Sequence, residues 1–235
     1  MNTIPAPLPD NNQHALRLVA RSCRKAALAT SMDGRPYASL VTVAFDHDLS
    51  PILLLSGIAD HTRNLEVDPH VALLLEGTQE LANPQTGPRV TLTGHAVRDS
   101  DPRLRRRFLA VHPGAALYAD FADFAVWRVC LERAHFVGGF GRAVWLDAPL
   151  VPPEDSAALA QGEEAVLIEM NQDHGARLAA LLSGRTGDWR LVGLDVDGCD
   201  LAAGEDVVRV AFPLPIDVPG KALSMIAEWQ LDSPA

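Results

Sequence analysis

The residues best suited to chemistry lie in the polar stretch 56–65, between two apolar segments of the chain. An apolar strand is predicted to end at Ser56, and a short helix to begin near Asp60. Ser56, His61 and Thr62 place hydroxyl and imidazole groups around the first turn of that helix. Free backbone N–H groups and the positive end of the helix dipole meet at such a turn, which therefore suits a phosphate. The plainer alternative is that Asp60 only caps the helix.

Charge divides the chain into two parts. Residues 1–150 carry 15 Lys or Arg and 15 Asp or Glu, whereas residues 151–235 carry 5 and 15, so the net charge of −10 lies in the second part. This step falls in a stretch with three prolines, and it predicts two domains, 1–150 and 151–235. The acidic domain would repel nucleic acid and anionic membranes, so we expect neither as a partner, although a basic partner fits.

Targeting and redox signals point to the cytoplasm. The first ten residues lack the basic and apolar regions of a signal peptide, and the apolar runs are too short to span a bilayer. The three cysteines, Cys23, Cys130 and Cys199, are far apart and odd in number, which favours reduced thiols over a disulfide framework or a zinc site. We therefore predict a cytoplasmic protein without a structural metal.

Hydrophobic periodicity predicts an antiparallel barrel followed by an α+β layer. Helical spacing runs from Asn11 to Ala27, and a second short helix covers Asp101–Val111. Asp33-Gly34 is a strong hairpin signal between the first two strands. The predicted strands are 28–32, 36–46, 52–56, 71–76, 89–98, 124–132 and 135–146. In the acidic part, a helix is expected over 165–182, then three short strands (189–196, 199–201, 207–212) and a closing helix over 218–229.

Several of these segments, in this order, resemble a known family. Gly34–Val41, Ser56–Leu65 with Asp68-Pro69, Arg89–His95 and Val137–Ala143 are similar to the FMN-binding split barrel of the pyridoxamine-phosphate-oxidase superfamily. Residues 169–174 and 193–201 resemble the α+β domain that follows this barrel in HugZ-type heme-utilisation proteins. The fold expected from this resemblance is an N-terminal antiparallel split β-barrel with short helices, followed by a small C-terminal α+β domain.

The resemblance also implies a homodimer with FMN, or heme as the alternative, at the subunit interface. Ser39 lies on the strand that contacts the flavin, and His61 and Thr62 fall where the superfamily holds the FMN phosphate. Arg142 is placed to stabilise a heme propionate or an iron-bound ligand. The full set of cofactor-binding residues that we predict is Ser39, Val41, Ser56, His61, Thr62, Asn64 and Arg142; no catalytic side chain is identified.

The chain departs from the family pattern at two places. His61 falls where the true oxidases use a lysine, and the only lysines, Lys25 and Lys221, are remote from that turn. The anion would then depend on backbone amides, hydroxyls, His61 and Arg63. HugZ-type heme degraders use a histidine near the C-terminus as iron ligand, and residues 222–235 contain none, which disfavours heme oxygenation by that route.

Two further features have competing explanations. The basic run Arg103, Arg105, Arg106 and Arg107 is either a solvated helix face or a docking surface for an acidic partner. His174, on an apolar helical stripe, is predicted to be a hydrogen-bonded core residue rather than a metal ligand.

Three functions remain open on the sequence. The first choice is an FMN-dependent oxidoreductase of unknown small-molecule substrate, linked to heme or iron utilisation. The second is a heme-binding or heme-degrading protein. The third is a non-enzymatic dimeric binding or regulatory protein.

Overall fold

The computed structural model describes residues 7–78, 81–173 and 187–228. Its helices are α1 (Asn12–Ser22), α2 (Asp60–Val67), α3 (Pro102–Val111), α4 (Pro153–Asp173) and α5 (Gly220–Glu228), with short 3-10 helices at Pro84–Thr86 and Pro113–Leu117. Its strands are β1 (Lys25–Met32), β2 (Arg35–Thr42), β3 (Ala44–Phe45), β4 (Pro51–Ser56), β5 (His70–Glu76), β6 (Arg89–Arg98), β7 (Phe124–Gly139), β8 (Arg142–Asp147), β9 (Arg190–Asp195), β10 (Gly198–Ala203) and β11 (Asp206–Ala211).

The first eight strands form one antiparallel sheet in the order β2-β1-β5-β6-β7-β4-β3, with β8 added beside β7. The sheet curls until β2 lies against β4, which makes the predicted split barrel. Strands β9–β11 form a separate antiparallel sheet covered by α4, against which α5 packs. A barrel followed by a small α+β layer is the fold class that the sequence predicted.

Local sequence explains where several elements begin. The Asn11 side chain accepts a hydrogen bond from the His14 amide at 2.9 Å and caps α1, while Asp101 caps α3 in the same way through Arg103, 2.8 Å away. Asp33 and Gly34 both have positive φ angles, 51° and 73°, as the tight turn between β1 and β2 requires. The predicted hairpin therefore forms in the expected register, with Met32 opposite Arg35.

A β-bulge in β7 corrects the strand boundaries predicted from periodicity. Thr93 pairs with Arg133 but Gly94 pairs with Leu131, so Glu132 is an extra residue in one continuous strand. The segments 124–132 and 135–146 were predicted as two strands. Instead β7 runs through both to Gly139, and the chain turns there to begin β8. Because of the bulge, Val129 and Ala134 both face the core although one number is odd and the other even.

Helix boundaries also differ from the predictions. The first helix ends at Ser22, because Lys25–Ala27 pair with β2 as part of β1. The helix expected over 165–182 begins earlier, at Pro153. Its predicted end, including His174, and Trp229 of the closing helix lie outside the described residues.

One buried apolar cluster links the barrel to the α+β layer. It includes Leu16 of α1, Leu92 of β6, Leu159 of α4 and Leu201 of β10, all of which are fully buried. The two sheets therefore pack on a shared core, with α1 between them, and burial of this apolar area is the main stabilising contribution. No helix among the described residues is long and apolar enough to cross a membrane.

Candidate functional site

The predicted phosphate turn forms at the end of β4. After Ser56 the chain makes a turn through Gly57 and Ile58, and α2 begins at Asp60. Ala59 holds the N-cap position and provides no side-chain hydrogen bond, so the Asp60 side chain is not the cap. The first amides of α2 are consequently left for solvent or a ligand.

Three of the predicted residues, Ser39, His61 and Asn64, lie together where α2 packs on the barrel. The Ser39 hydroxyl on β2 is 3.2 Å from His61 Nδ1, and Asn64 donates to the Thr30 hydroxyl on β1 at 2.9 Å. Burial lowers the pKa of His61 and outweighs the opposing effect of the Asp60 carboxylate. His61 is thus a half-buried imidazole that is neutral at neutral pH, with Nε2 directed away from the Ser39 contact.

Two other predicted residues, Thr62 and Val41, are buried, unlike the half-buried His61. Thr62 is 1% exposed, and its hydroxyl has no hydrogen-bond partner among the described residues. Val41 packs within the barrel core. A phosphate on the surface of the turn could not reach the Thr62 hydroxyl as it stands, because water itself does not reach it.

Carboxylates dominate the electrostatics of the turn. The Ser56 hydroxyl donates to the Asp123 carboxylate at 2.5 Å, and the Gly57 amide donates to the Asp123 carbonyl at 2.6 Å. Arg63, the nearest cation in the sequence, pairs with Asp60 at 3.2 Å. Two carboxylates at the positive end of a helix dipole already neutralise part of the charge that would hold an anion. This turn fits the phosphate of FMN poorly.

Arg142 lies away from the turn and is engaged with the N-terminal segment. Its guanidinium donates to the carbonyls of Pro9 and Asp10 and to the Asn12 side chain, at 2.6, 3.0 and 2.8 Å. It also lies over the Phe136 ring, 5.2 Å from the centroid. Arg142 therefore holds the chain that leads into α1, on the inner side of β8.

The basic run of α3 meets the acidic part of the same chain. Arg107 is buried, and it binds Glu163 of α4 together with the Phe45 carbonyl. Arg103 makes a two-pronged contact with Asp46, which is also buried. The prediction that this basic run is a solvated helix face is confirmed for Arg106 and wrong for Arg107. The alternative prediction was a docking surface for an acidic partner, and for Arg107 that partner is Glu163 of the same chain.

His47 lies at the centre of this contact. Its two ring nitrogens are 3.2 Å from Asp46 Oδ1 and 3.4 Å from Glu163 Oε2, and the side chain is 2% exposed. Arg103 and Arg107 approach the same two nitrogens at 3.3 and 3.2 Å. Barrel, α3 and α4 are thereby joined through one imidazole.

A second buried charged cluster joins α1 to the β9–β10 turn. Arg17 binds both carboxylate oxygens of Asp197 at 2.9–3.0 Å, and Arg21 contacts Asp197 and Asp195 at 3.2 and 3.1 Å. Arg209 of β11 closes the cluster with two 2.7 Å contacts to Asp195. Most of the internal acidic charge of the C-terminal part is therefore neutralised by arginines within the same molecule. Sequence reasoning missed this cluster; the Asp195-Val-Asp197 spacing opposite an arginine-rich first helix was the available signal.

The Glu163 contact predicts how stability depends on pH. Burial by itself would raise the pKa of Glu163, but Arg107 and His47 outweigh it and hold the pKa at about 2, below the usual 4.5. The folded pKa is depressed, so this contribution is complete above about pH 4.5 and is lost as the pH falls towards 2. We expect Glu163→Gln to lower the free energy of unfolding by up to about 3 kcal/mol at pH 6, with the gap to wild type shrinking to less than about 1 kcal/mol by pH 2.5.

Urea unfolding at pH 6, 4.5, 3.5 and 2.5 measures that gap. Glu164→Gln is the matched control, because Glu164 is the exposed neighbour on the same helix. A gap for Glu163→Gln that stays constant across this pH range would contradict the assignment.

Comparison with known families identifies the class of protein that this barrel represents. The family model described as Pyridoxamine 5'-phosphate oxidase matches residues 13–138. The chain belongs to this family, and the resemblance inferred from its motifs is confirmed. The match covers the barrel from α1 to the end of β7.

Particular relatives extend the comparison. The chain is 36% identical over 149 residues to the non-canonical heme oxygenase HOZ, chloroplastic, of Arabidopsis thaliana; this covers 60% of the chain and 45% of that protein. The chain thus spans less than half of the relative's length.

Two solved structures match almost the whole chain. The protein Atu2129 of unknown function from Agrobacterium tumefaciens is similar with a TM-score of 0.74 at 27% identity, over 96% of this chain and 98% of that one. A heme binding protein from Mycobacterium smegmatis is similar with a TM-score of 0.58 at 28% identity, over 94% and 96%. Both matches include the α+β layer.

Proposed function

We propose that this protein binds heme, functions in heme utilisation, and acts as a homodimer whose two barrels meet through the outer face of the sheet. Two observations carry this proposal: the outer sheet face is apolar and exposed on β2, β1 and β5, and the phosphate turn is lined with carboxylates. The named relatives support it: one is a heme oxygenase and another a heme binding protein.

The outer sheet face is a row of paired residues across six strands. From β2 to β8 the row is Leu40, Ala27, Leu74, Thr91, His135 and Trp145. Leu40, Leu74 and Trp145 are 74%, 44% and 48% exposed. The β2, β1 and β5 part of the row is apolar, and Thr91 and His135 separate it from Trp145. An antiparallel sheet normally places polar side chains on its solvent face, so this exposed apolar part marks a surface that another molecule covers.

A second copy fits this face because its centre is made of small side chains. Ala27 and Ala29 of β1 and Ala38 and Ala72 on the flanking strands leave a flat surface that another sheet can approach closely. The barrel portion, 1–150, carries equal numbers of acidic and basic residues, so two copies meet without net repulsion. In this proposal the homodimer buries the β2 and β1 end of the row, at Leu40 and Ala27, on both subunits, and the β7–β8 end remains accessible to heme.

Heme suits this face better than FMN suits the turn. Heme is a wide, mostly apolar plane with two carboxylates, and a flat apolar surface with cations at its rim complements both properties. The β6 and β7 residues Arg89 and Arg133 provide such cations beside the apolar row. FMN binding remains the second candidate, supported by family membership and by the Ser39–His61 pair.

A visible titration separates the two candidates. Hemin added to the purified full chain should give a shifted Soret band that saturates at one heme per subunit, while FMN at micromolar concentration should leave the flavin spectrum and fluorescence unchanged. Saturable FMN binding that is weakened by His61→Ala would favour the oxidoreductase. An unchanged free-hemin spectrum would overturn the heme proposal.

A charged residue at the β2 end of the outer face should separate the dimer. Leu40→Lys would bury an ammonium group between the two sheets, and we expect the dimer dissociation constant to rise at least tenfold. Leu117→Lys is the matched control, because Leu117 is 82% exposed but lies outside the sheet. Sedimentation velocity across a concentration series measures both variants; equal dimer populations in the two would argue against this interface.

A further inference from the structure

We propose that His135 is the protein ligand of the heme iron, with Trp145 and Arg133 forming the wall beside it. This inference rests on the proposed heme binding and names the residues that would perform it. The three side chains occupy the outward face of the β7–β8 hairpin, at one end of the apolar row. None of the three residues lies in the predicted phosphate turn, residues 56–65.

Strand pairing brings the three residues together. His135 lies opposite Trp145, and the two rings stack with centroids 4.8 Å apart at an angle of 24°. The Arg133 guanidinium lies over the same indole, 4.9 Å from its centroid. The stack fixes the plane of the imidazole, while its nitrogens project from the edge of the ring and stay accessible.

The bulge at Glu132 is the reason that His135 faces outward. Before the bulge, Trp127 and Val129 point into the core, so uninterrupted alternation would direct residue 135 inward as well. The extra residue reverses the alternation, and Ala134 and Phe136 become the buried neighbours. The imidazole is thereby delivered to the apolar face instead of the core.

Among the described histidines, His135 is the one without a hydrogen bond or an ion pair. His14, His47 and His112 are enclosed and lie against Asp197, Asp46 and the Val43 carbonyl. His61, His70 and His95 are held through Nδ1 by Ser39, Asp68 and Glu132. An imidazole with both nitrogens uncommitted, stacked on the exposed Trp145, would have the chemistry that an iron ligand needs.

The neighbours of His135 match the rest of the heme molecule. Thr91 and Leu74 continue the row and would offer a surface for the macrocycle, and Trp145 would contact its edge. Arg133 is 54% exposed and contacts Asp147 at 2.8 Å. This exposed pair contributes little by itself, so a propionate can replace the Asp147 carboxylate as the partner of the guanidinium.

Hemin titration of three variants tests the assignment. His135→Ala should weaken hemin binding at least tenfold and should remove the low-spin histidine-ligated spectrum, seen by visible absorption and by electron paramagnetic resonance. His95→Ala is the matched control, since His95 lies on the same outer face of the neighbouring strand. With His135→Gly, added imidazole should restore the wild-type Soret position, because the free ligand can occupy the vacated space.

The outcomes distinguish the assignment of His135 as iron ligand from the proposal that the protein binds heme. If wild type and His135→Ala bind hemin with the same spectrum and affinity, heme binding stands and His135 is not the ligand. If wild type leaves the hemin spectrum unchanged, both proposals fail. Loss of the histidine signature in His135→Ala, its retention in His95→Ala and rescue by imidazole together establish the ligand.

Discussion

Replacing Asp197 with alanine should lower the free energy of unfolding by about 3–5 kcal/mol, the usual cost of removing one partner from a buried ion pair. Asp197 is completely buried, and it accepts hydrogen bonds from Arg17 and Arg21 of α1. Without this carboxylate, the Leu150 carbonyl, 3.2 Å away, is the one hydrogen-bond partner that the Arg17 guanidinium keeps among the described residues. An uncompensated cation would then be buried between the two sheets.

Urea unfolding midpoints measure this loss, and Asp60→Ala is the matched control. Asp60 also pairs with an arginine, Arg63, but both side chains are more than half exposed, so its removal should change stability by less than about 1 kcal/mol. The double change Arg17→Met with Asp197→Leu should recover much of the loss, because no charge is then left unpaired. Equal midpoints for Asp197→Ala and Asp60→Ala would show that the cluster is not what joins the two sheets.

Replacing Gly94 with alanine should lower the free energy of unfolding by about 3 kcal/mol through overpacking. A Cβ atom at this position would lie 2.1 Å from the Cys130 carbonyl oxygen and 3.1 Å from the Leu131 Cα. These are backbone atoms of the bulged strand, so they cannot rotate away as a side chain can. The pairing of β6 with β7 must shift, and the register that orients the β7–β8 hairpin shifts with it.

Gly220→Ala provides the control for this glycine. Gly220 begins α5, and nothing lies within 4 Å of the position that its Cβ would take, so alanine should be neutral or slightly stabilising there. If Gly94→Ala unfolds at the wild-type urea midpoint, the close approach at the bulge is not rigid. Hemin binding by Gly94→Ala should weaken in parallel, since the hairpin carries His135.

The sequence by itself determined most of the barrel. The strict alternation in β6 and the Asp33-Gly34 turn each encode an element through neighbouring residues. Such local patterns can be recognised without knowledge of the fold. The same is true of the start of α2, whereas the contact between Ser39 and His61 became visible only in the structure. The step in charge near residue 150 was also visible along the chain.

Only the tertiary structure decided which charges meet and which side chains face outward. Arg107 and Glu163 are 56 residues apart, so no local pattern reveals that the basic helix and the acidic part neutralise each other inside one molecule. Glu132 is an extra residue in the pairing of β7 with β6; it reverses the alternation of β7 and thereby places His135 on the outer face. The buried ion pair and the direction of the His135 side chain both depend on long-range packing. Each is fixed by residues that are distant in the sequence and adjacent only in the folded chain.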